Sequence, residues 1–252
     1  MNIGPTEVVV VEAEAFAETA ARRIAEKLRE AAGRGPGSES GPGRISLALS
    51  GGSTPEPVYR ALANEPLDWE RIDIFQVDER AVSRDHEDRN LGMIRHALRG
   101  PWGVCGARVE PMDVMADDLN EAARRYAALL PPSLDVVVLG IGEDAHTASL
   151  FPDDESWDAA DSEDAPAAGV DAHAAEVLVT GSPRHAHRRM TLGPRALQCA
   201  SSLVVLARGE SKAAAVARAL EAGPVREAPA RLARGGVWIL DTGAARAISG
   251  SG

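Results

Sequence analysis

Several features are scarce in this chain, and each scarcity excludes something. Long apolar runs are missing: no stretch approaches the roughly 18 residues a membrane-spanning helix needs, so no membrane span is expected. Cys105 and Cys199 are the only cysteines, and their separation fits no metal-ligand pattern. Such sparse usage suits a reducing compartment. Basic charge is in deficit, with 27 Lys+Arg against 38 Asp+Glu and a formal net charge of −11. Phosphate backbones need a basic face, so no nucleic-acid partner is expected. An anionic small molecule stays possible, but it must meet a locally basic site in an acidic whole. Lysine itself is rare, with only Lys27 and Lys212 among the basic residues. The N-terminal stretch has no basic segment ahead of Val8–Val11 and soon turns acidic, so it does not read as a secretory signal. Together these features predict a cytoplasmic protein. Nothing in the pattern specifies an oligomeric partner.

What is present centres on LDVVVLGIGEDAHTASLFP, residues 134–152. The apolar run Val136–Leu139 reads as a strand buried on both faces, as in a parallel sheet. It breaks at Gly140-Ile141-Gly142, where glycine permits a tight turn. Glu143, Asp144 and His146 follow at once, and His146–Ser149 is expected to begin the next helix. Around this stretch, strands at 8–11, 45–49, 72–77, 108–110, 176–180, 202–207 and 237–240 interleave with helical segments. These include 13–32, 55–63, 90–98, 117–130, 194–198 and 211–221. The alternation predicts an α/β fold, a mainly parallel sheet with helices on both faces. One domain over 1–252 is expected, with a flexible loop at about 33–44 and an acidic surface excursion at about 152–175.

Open α/β sheets bind ligands at the carboxyl ends of their strands. Five segments there carry polar chemistry. Ser50-Gly51-Gly52-Ser53-Thr54-Pro55 is either an ordinary capped turn, with Thr54 as N-cap and Pro55 in the first helical position, or an anion cradle. Asp78-Glu79-Arg80 is either a solvated ion pair or a set in which Arg80 grips a phosphate. In that second case Asp78 and Glu79 would orient it or bind sugar hydroxyls. Gly140–Ala145 matches G-x-G-x-x-A, but two carboxylates in the turn would repel a pyrophosphate. His146 is better read as a general base, since an imidazole's ordinary pKa of about 6.5 suits proton transfer near neutrality. Asp144 or Glu143 could fix its tautomer; the alternative is a purely structural histidine. Arg188-Arg189 and Gly209-Glu210-Ser211-Lys212 add cations. Singly each is more often a solvated charge, but a parallel sheet gathers such ends together. Arg80, Arg189, Lys212, the glycine turn and His146 then describe a phosphorylated small-molecule site with one acid–base group.

SGGSTP at 50–55, VDER at 77–80, GIGEDAHTASLFP at 140–152, RMTL at 189–192 and GESKA at 209–213 resemble the 6-phosphogluconolactonase family in residues, order and separation. The resemblance spans nearly the whole chain and implies a modified Rossmann-like fold. It implies hydrolysis of 6-phospho-D-glucono-1,5-lactone to 6-phosphogluconate, in the oxidative pentose phosphate pathway, without metal or cofactor. By position it makes His146 the base and Asp144 its acidic neighbour. Arg80, Arg189 and Lys212 match its phosphate positions, and Gly51 and Gly52 fall in its glycine turn; Ser50 and Asp78, read from the residues themselves, complete the expected substrate-binding set. Ala145 stands where that family usually has glycine, and Arg89 where it commonly has serine. The rival readings are a glucosamine-6-phosphate deaminase-like isomerase and a non-catalytic sugar-phosphate sensor. The former carries GHIAFNEP, and its glutamate aligns with Phe151 here.

Overall fold

The computed structural model describes residues 6–33, 43–98, 106–152, 154, 176–181 and 186–248. In chain order the elements are β1 (Glu7–Val11), α1 (Phe16–Gly33), β2 (Ile45–Leu49), α2 (Pro55–Leu62), β3 (Ile72–Gln76), β4 (Asp78–Arg80), α3 (Asn90–Ala97) and β5 (Arg108–Glu110). They continue with α4 (Leu119–Ala127), β6 (Val136–Gly140), β7 (Val177–Thr180), β8 (Arg189–Leu192), α5 (Pro194–Gln198), β9 (Leu203–Ala207), α6 (Ala213–Leu220) and β10 (Val237–Asp241).

Seven strands form one parallel sheet, ordered β1-β10-β9-β6-β2-β3-β5. The pleat sends successive side chains to opposite faces. Val136 and Val138 of β6 therefore join one core, with Ile24 and Leu28 of α1 and Val58 and Leu62 of α2. Val137 and Leu139 join the other, with Tyr126 of α4, Leu197 of α5 and Val216 of α6. Helices cover both faces, so β6 has no solvent side and its sequence is apolar throughout. Burying each such side chain stabilises the fold by about 1.5–3 kcal/mol. The expected α/β sheet is thus the one found. At its edge, β1 leaves Val8 and Val10 exposed.

The strand order places the site. The chain leaving β2 pairs next on the β3 side, whereas the chain after β6 returns on the β9 side. Their carboxyl ends diverge, and a crevice opens between them.

Not every strand belongs to that sheet. β4, β8 and β7 form a separate three-stranded antiparallel sheet. Asp78–Arg80 is therefore a strand, and not the loop it resembles in sequence. Val77 makes the switch: its N–H donates to Leu49 O of β2 at 3.0 Å, while its carbonyl accepts from Leu192 N at 2.7 Å.

The helix expected from His146 is absent. Residues 141–150 form turns instead, with Ala145 at φ 67°, Ala148 at φ 51° and a bridge between Thr147 and Leu150. Thr147 Oγ1 donates to Gly140 O at 2.8 Å and Gly142 N to His146 O at 2.9 Å, folding the segment back onto the end of β6. Thr54 is also not the expected side-chain cap; its backbone is already helical and its hydroxyl makes no capping bond. Most of the expected loop at 33–44 and excursion at 152–175 lies outside the described residues. The ends of the former are within them: Gly33 closes α1, and Arg44 pairs with Asp73 at 2.6 Å.

Candidate active site

Ser50, Gly51, Gly52, Asp78, Arg80, His146, Arg189 and Lys212 all line one cavity of about 280 Å³. Asp144 does not line it and stands behind His146. The sheet accounts for the convergence. The glycine turn leaves β2, His146 follows β6, Lys212 follows β9, and the antiparallel sheet brings in the rest.

The glycine turn is held from below. Ser50 donates its hydroxyl to Val138 O at 2.9 Å, and Tyr59 donates to Ser50 O at 2.8 Å. Ser50 therefore anchors the turn to the neighbouring strand. Gly52 has φ 109°, a conformation that glycine adopts without a Cβ penalty. Gly51 is required for space: a Cβ there would lie 1.8 Å from Asn90 Oδ1. Asn90 lines the cavity and donates to Asp78 O at 2.9 Å and Asp78 Oδ1 at 3.2 Å. Asn90 is a site residue that sequence reasoning missed. No motif or period marks it, because its place depends on α3 starting against Gly51.

Asp78 is buried and also accepts from Ser149 Oγ at 2.6 Å, with Arg189 Nη1 3.9 Å from its Oδ2. The Arg189 guanidinium lies 5.4 Å from the Phe151 ring centroid. Burial lowers the pKa of Arg189, Asp78 pulls it up and nearby Arg80 lowers it again. Arginine stays charged through such shifts. Arg80 donates to Asp88 O at 2.6 Å. Among the described residues, the Nε atoms of both Arg80 and Arg189 are buried without a hydrogen-bond partner. An unsatisfied buried donor costs about 1–3 kcal/mol, and more when charged. An anion in the cavity would relieve that cost.

Glu79 has a different role from its neighbours. It is fully buried and accepts from Gln76 Nε2, Arg80 N, Asn90 N and Leu91 N, all at 2.8–2.9 Å. Arg89 Nε lies 3.2 Å away. Two of those donors are unpaired N–H groups at the start of α3, so Glu79 caps that helix. It neither binds sugar nor forms a solvated pair.

Around His146, Nδ1 lies 2.6 Å from Asp144 Oδ1, and the backbone N–H donates to the same oxygen at 3.1 Å. Burial alone would raise the Asp144 pKa. The hydrogen bonds from His146 and its charge outweigh this and hold the carboxyl well below the usual carboxylate range. Arg218 of α6 donates to Asp144 O, which ties the turn down. Gly142 makes room for the ring: a Cβ there would sit 2.1 Å from His146 Nδ1. Phe151 packs against the other side, with ring centroids 4.8 Å apart. Lys212 Nζ lies 4.0 Å from exposed Glu143, a contact too long and solvated to hold either charge. Glu143 does not line the cavity, which leaves Asp144 as the partner of His146.

Residues 11–239 match the family described as glucosamine-6-phosphate isomerases/6-phosphogluconolactonase. A 6-phosphogluconolactonase of Pseudomonas aeruginosa is 38% identical, covering 80% of this chain and 82% of its own. One from Streptomyces coelicolor is 33% identical over 97% of this chain and 95% of its own. Among solved structures, a 6-phosphogluconolactonase from Shewanella baltica superposes with a TM-score of 0.79 at 26% identity, covering 95% of this chain and 98% of that one. The enzyme from Trypanosoma brucei gives a TM-score of 0.74 at 28% identity, covering 98% and 100%.

Proposed function

We propose a function from one premise: this chain belongs to the glucosamine-6-phosphate isomerase/6-phosphogluconolactonase family. Its reaction is hydrolysis of 6-phospho-D-glucono-1,5-lactone to 6-phospho-D-gluconate, a step of the pentose phosphate pathway. The observation that carries the mechanism is His146, held from behind by Asp144, lining one cavity with Arg80, Arg189 and Lys212.

With Nδ1 engaged by Asp144, proton transfer falls to Nε2 of His146. It removes a proton from a water molecule as the water oxygen bonds to C1 of the lactone. Negative charge moves to the carbonyl oxygen, where the glycine turn or a nearby cation stabilises it. When the C1–ring-oxygen bond breaks, the imidazolium returns its proton to the departing oxygen, and the open-chain acid forms. Asp144 keeps the ring oriented and offsets its positive charge. A positioned base of this kind supplies about 10²–10⁴-fold. Arg80, Arg189 and Lys212 hold the phosphate, so remote binding energy positions the reacting carbon.

Phe151 argues against the isomerase branch. It occupies the place of that branch's glutamate, and it is buried and packed against His146. Sparse cysteine usage supports a reducing, cytoplasmic setting. The test is hydrolysis of freshly made lactone against a no-enzyme control, with the His146→Ala variant. Activity near wild type in that variant would remove His146 from the mechanism. Ammonia released from glucosamine 6-phosphate would favour the isomerase branch.

A further inference from the structure

We propose that His86, Asp88 and His187 form a divalent transition-metal site of the zinc class at the rim of the cavity, separate from the His146 chemistry. Each offers one ligand atom, and these atoms all lie within 4.8 Å of one another. Asp88 Oδ2 is 3.8 Å from His86 Nδ1 and 3.6 Å from His187 Nε2. Ligands about 2.0–2.1 Å from a tetrahedral zinc sit roughly 3.3 Å apart, so the two Asp88 gaps close with shifts of a few tenths of an ångström, and the gap between the two imidazole ligands, within 4.8 Å, closes by rotation of the part-exposed rings.

The fold builds the arrangement from distant parts of the chain. Arg80 and Arg189 are partners across β4 and β8, which sets His187 beside the loop that follows Arg80. Ala81 N donates to Arg188 O at 2.8 Å and locks the two segments together. Arg80 fixes Asp88 from the cavity side through its carbonyl. The two imidazoles meet edge to face, 5.5 Å between centroids. His86 Nδ1 now accepts from Asp88 N at 3.1 Å. A metal would displace that bond, and the exposed amide can turn to water.

Two imidazole nitrogens and one carboxylate oxygen suit zinc and its neighbours; magnesium and calcium prefer all-oxygen sets. Both rings are about one-third exposed, so the ligands are reachable and water can complete the coordination. Exposed Asp85 and Glu87 add negative charge to the same loop.

The test is Zn²⁺ titration of the untagged full chain in competition with a chromophoric chelator, with Mg²⁺ as a parallel arm. One Zn²⁺ per chain is expected, with no Mg²⁺ binding. His86→Ala, His187→Ala and Asp88→Asn should each weaken zinc more than about tenfold, since even lost supporting partners cost about 10–100-fold. They should also abolish the zinc-induced rise in melting temperature. His146→Ala should keep both readouts. Circular dichroism checks that each variant folds. A wild type that binds no zinc would overturn the proposal, as would unchanged binding in all three rim variants. Loss in His146→Ala alone would move the metal into the catalytic cavity and overturn it too.

Discussion

Arg80 and Arg189 lie directly opposite each other across the antiparallel β4–β8 pair. Like charges so placed are destabilising by up to about 1 kcal/mol. Here each arginine also carries a buried, unpartnered Nε among the described residues. An anion between the two guanidinium groups would offset this repulsion. The product, 6-phosphogluconate, should therefore raise the melting temperature of the wild type. At 100 times its Kd the gain is about 2.7 kcal/mol. At the same concentration Arg189→Met should show a much smaller shift. An undiminished shift would mean that the phosphate sits elsewhere.

Gly142 and His146 make a second pair in which one residue's size sets the other's place. Gly142 does not have the positive φ that would itself exclude alanine. Its Cβ would nevertheless meet the imidazole at 2.1 Å and the Asp144 carboxylate at 2.6 Å. Gly142→Ala should lower kcat by about 10²–10⁴-fold, the range a general base contributes. Product binding, read by the thermal shift, should survive. Steady-state kinetics with near-normal kcat would show that the ring adapts.

Asp144 links the site to acid stability. Its folded pKa is depressed, so the unfolded state, at about 3.9, takes up its proton first as pH falls. The stabilisation is present above the unfolded value and is lost as pH drops through the folded one. Urea melts should show wild type more stable than Asp144→Asn at about pH 5, with the difference shrinking towards about pH 3. A difference that widens in acid would reverse the assignment.

The parallel sheet was legible because its strands carry the signal on their own: an apolar run such as Val136–Leu139 needs no partner to be recognised. The glycine turn and His146 after that strand stood out for the same local reason. Asp78–Arg80 was not, because three charged residues look like a loop unless Thr191 and Met190 are known to lie alongside. The roles of Asn90 and Glu79 were hidden similarly. They depend on contacts between residues 11 or more positions apart, and no spacing rule encodes those. Ala145 and Ala148 hid the turn after His146, since alanine ordinarily favours helix. Their positive φ values come from tertiary bonds, among them Ala230 N to Ala145 O at 3.0 Å.

Ala145 gives a prediction of its own. Left-handed backbone costs an alanine about 1–2 kcal/mol, which glycine would relieve. Against this stand a buried methyl, worth about 0.8 kcal/mol, and greater freedom of the unfolded chain, worth about 0.4–1 kcal/mol. The terms nearly cancel. Ala145→Gly should change unfolding free energy by less than about 1 kcal/mol and keep full activity, whereas Ala145→Val should lose stability clearly. Chemical denaturation of both variants decides it, and a glycine variant as damaged as the valine one would contradict the strain.

Glu79 separates a structural carboxylate from a substrate ligand. Its oxygens take up two N–H groups at the start of α3 and face the buried Arg89 guanidinium at 3.2 Å. Removing one member of a buried ion pair leaves the other charge uncompensated, typically at 3–5 kcal/mol. Glu79→Ala should therefore lower the urea midpoint by an amount equivalent to about 3–5 kcal/mol. The double variant Glu79→Ala, Arg89→Leu should recover part of that loss, because the orphaned charge is then gone. Had Glu79 bound the sugar, its removal would raise KM at unchanged stability. A variant with a wild-type midpoint and a raised KM would return this residue to the cavity.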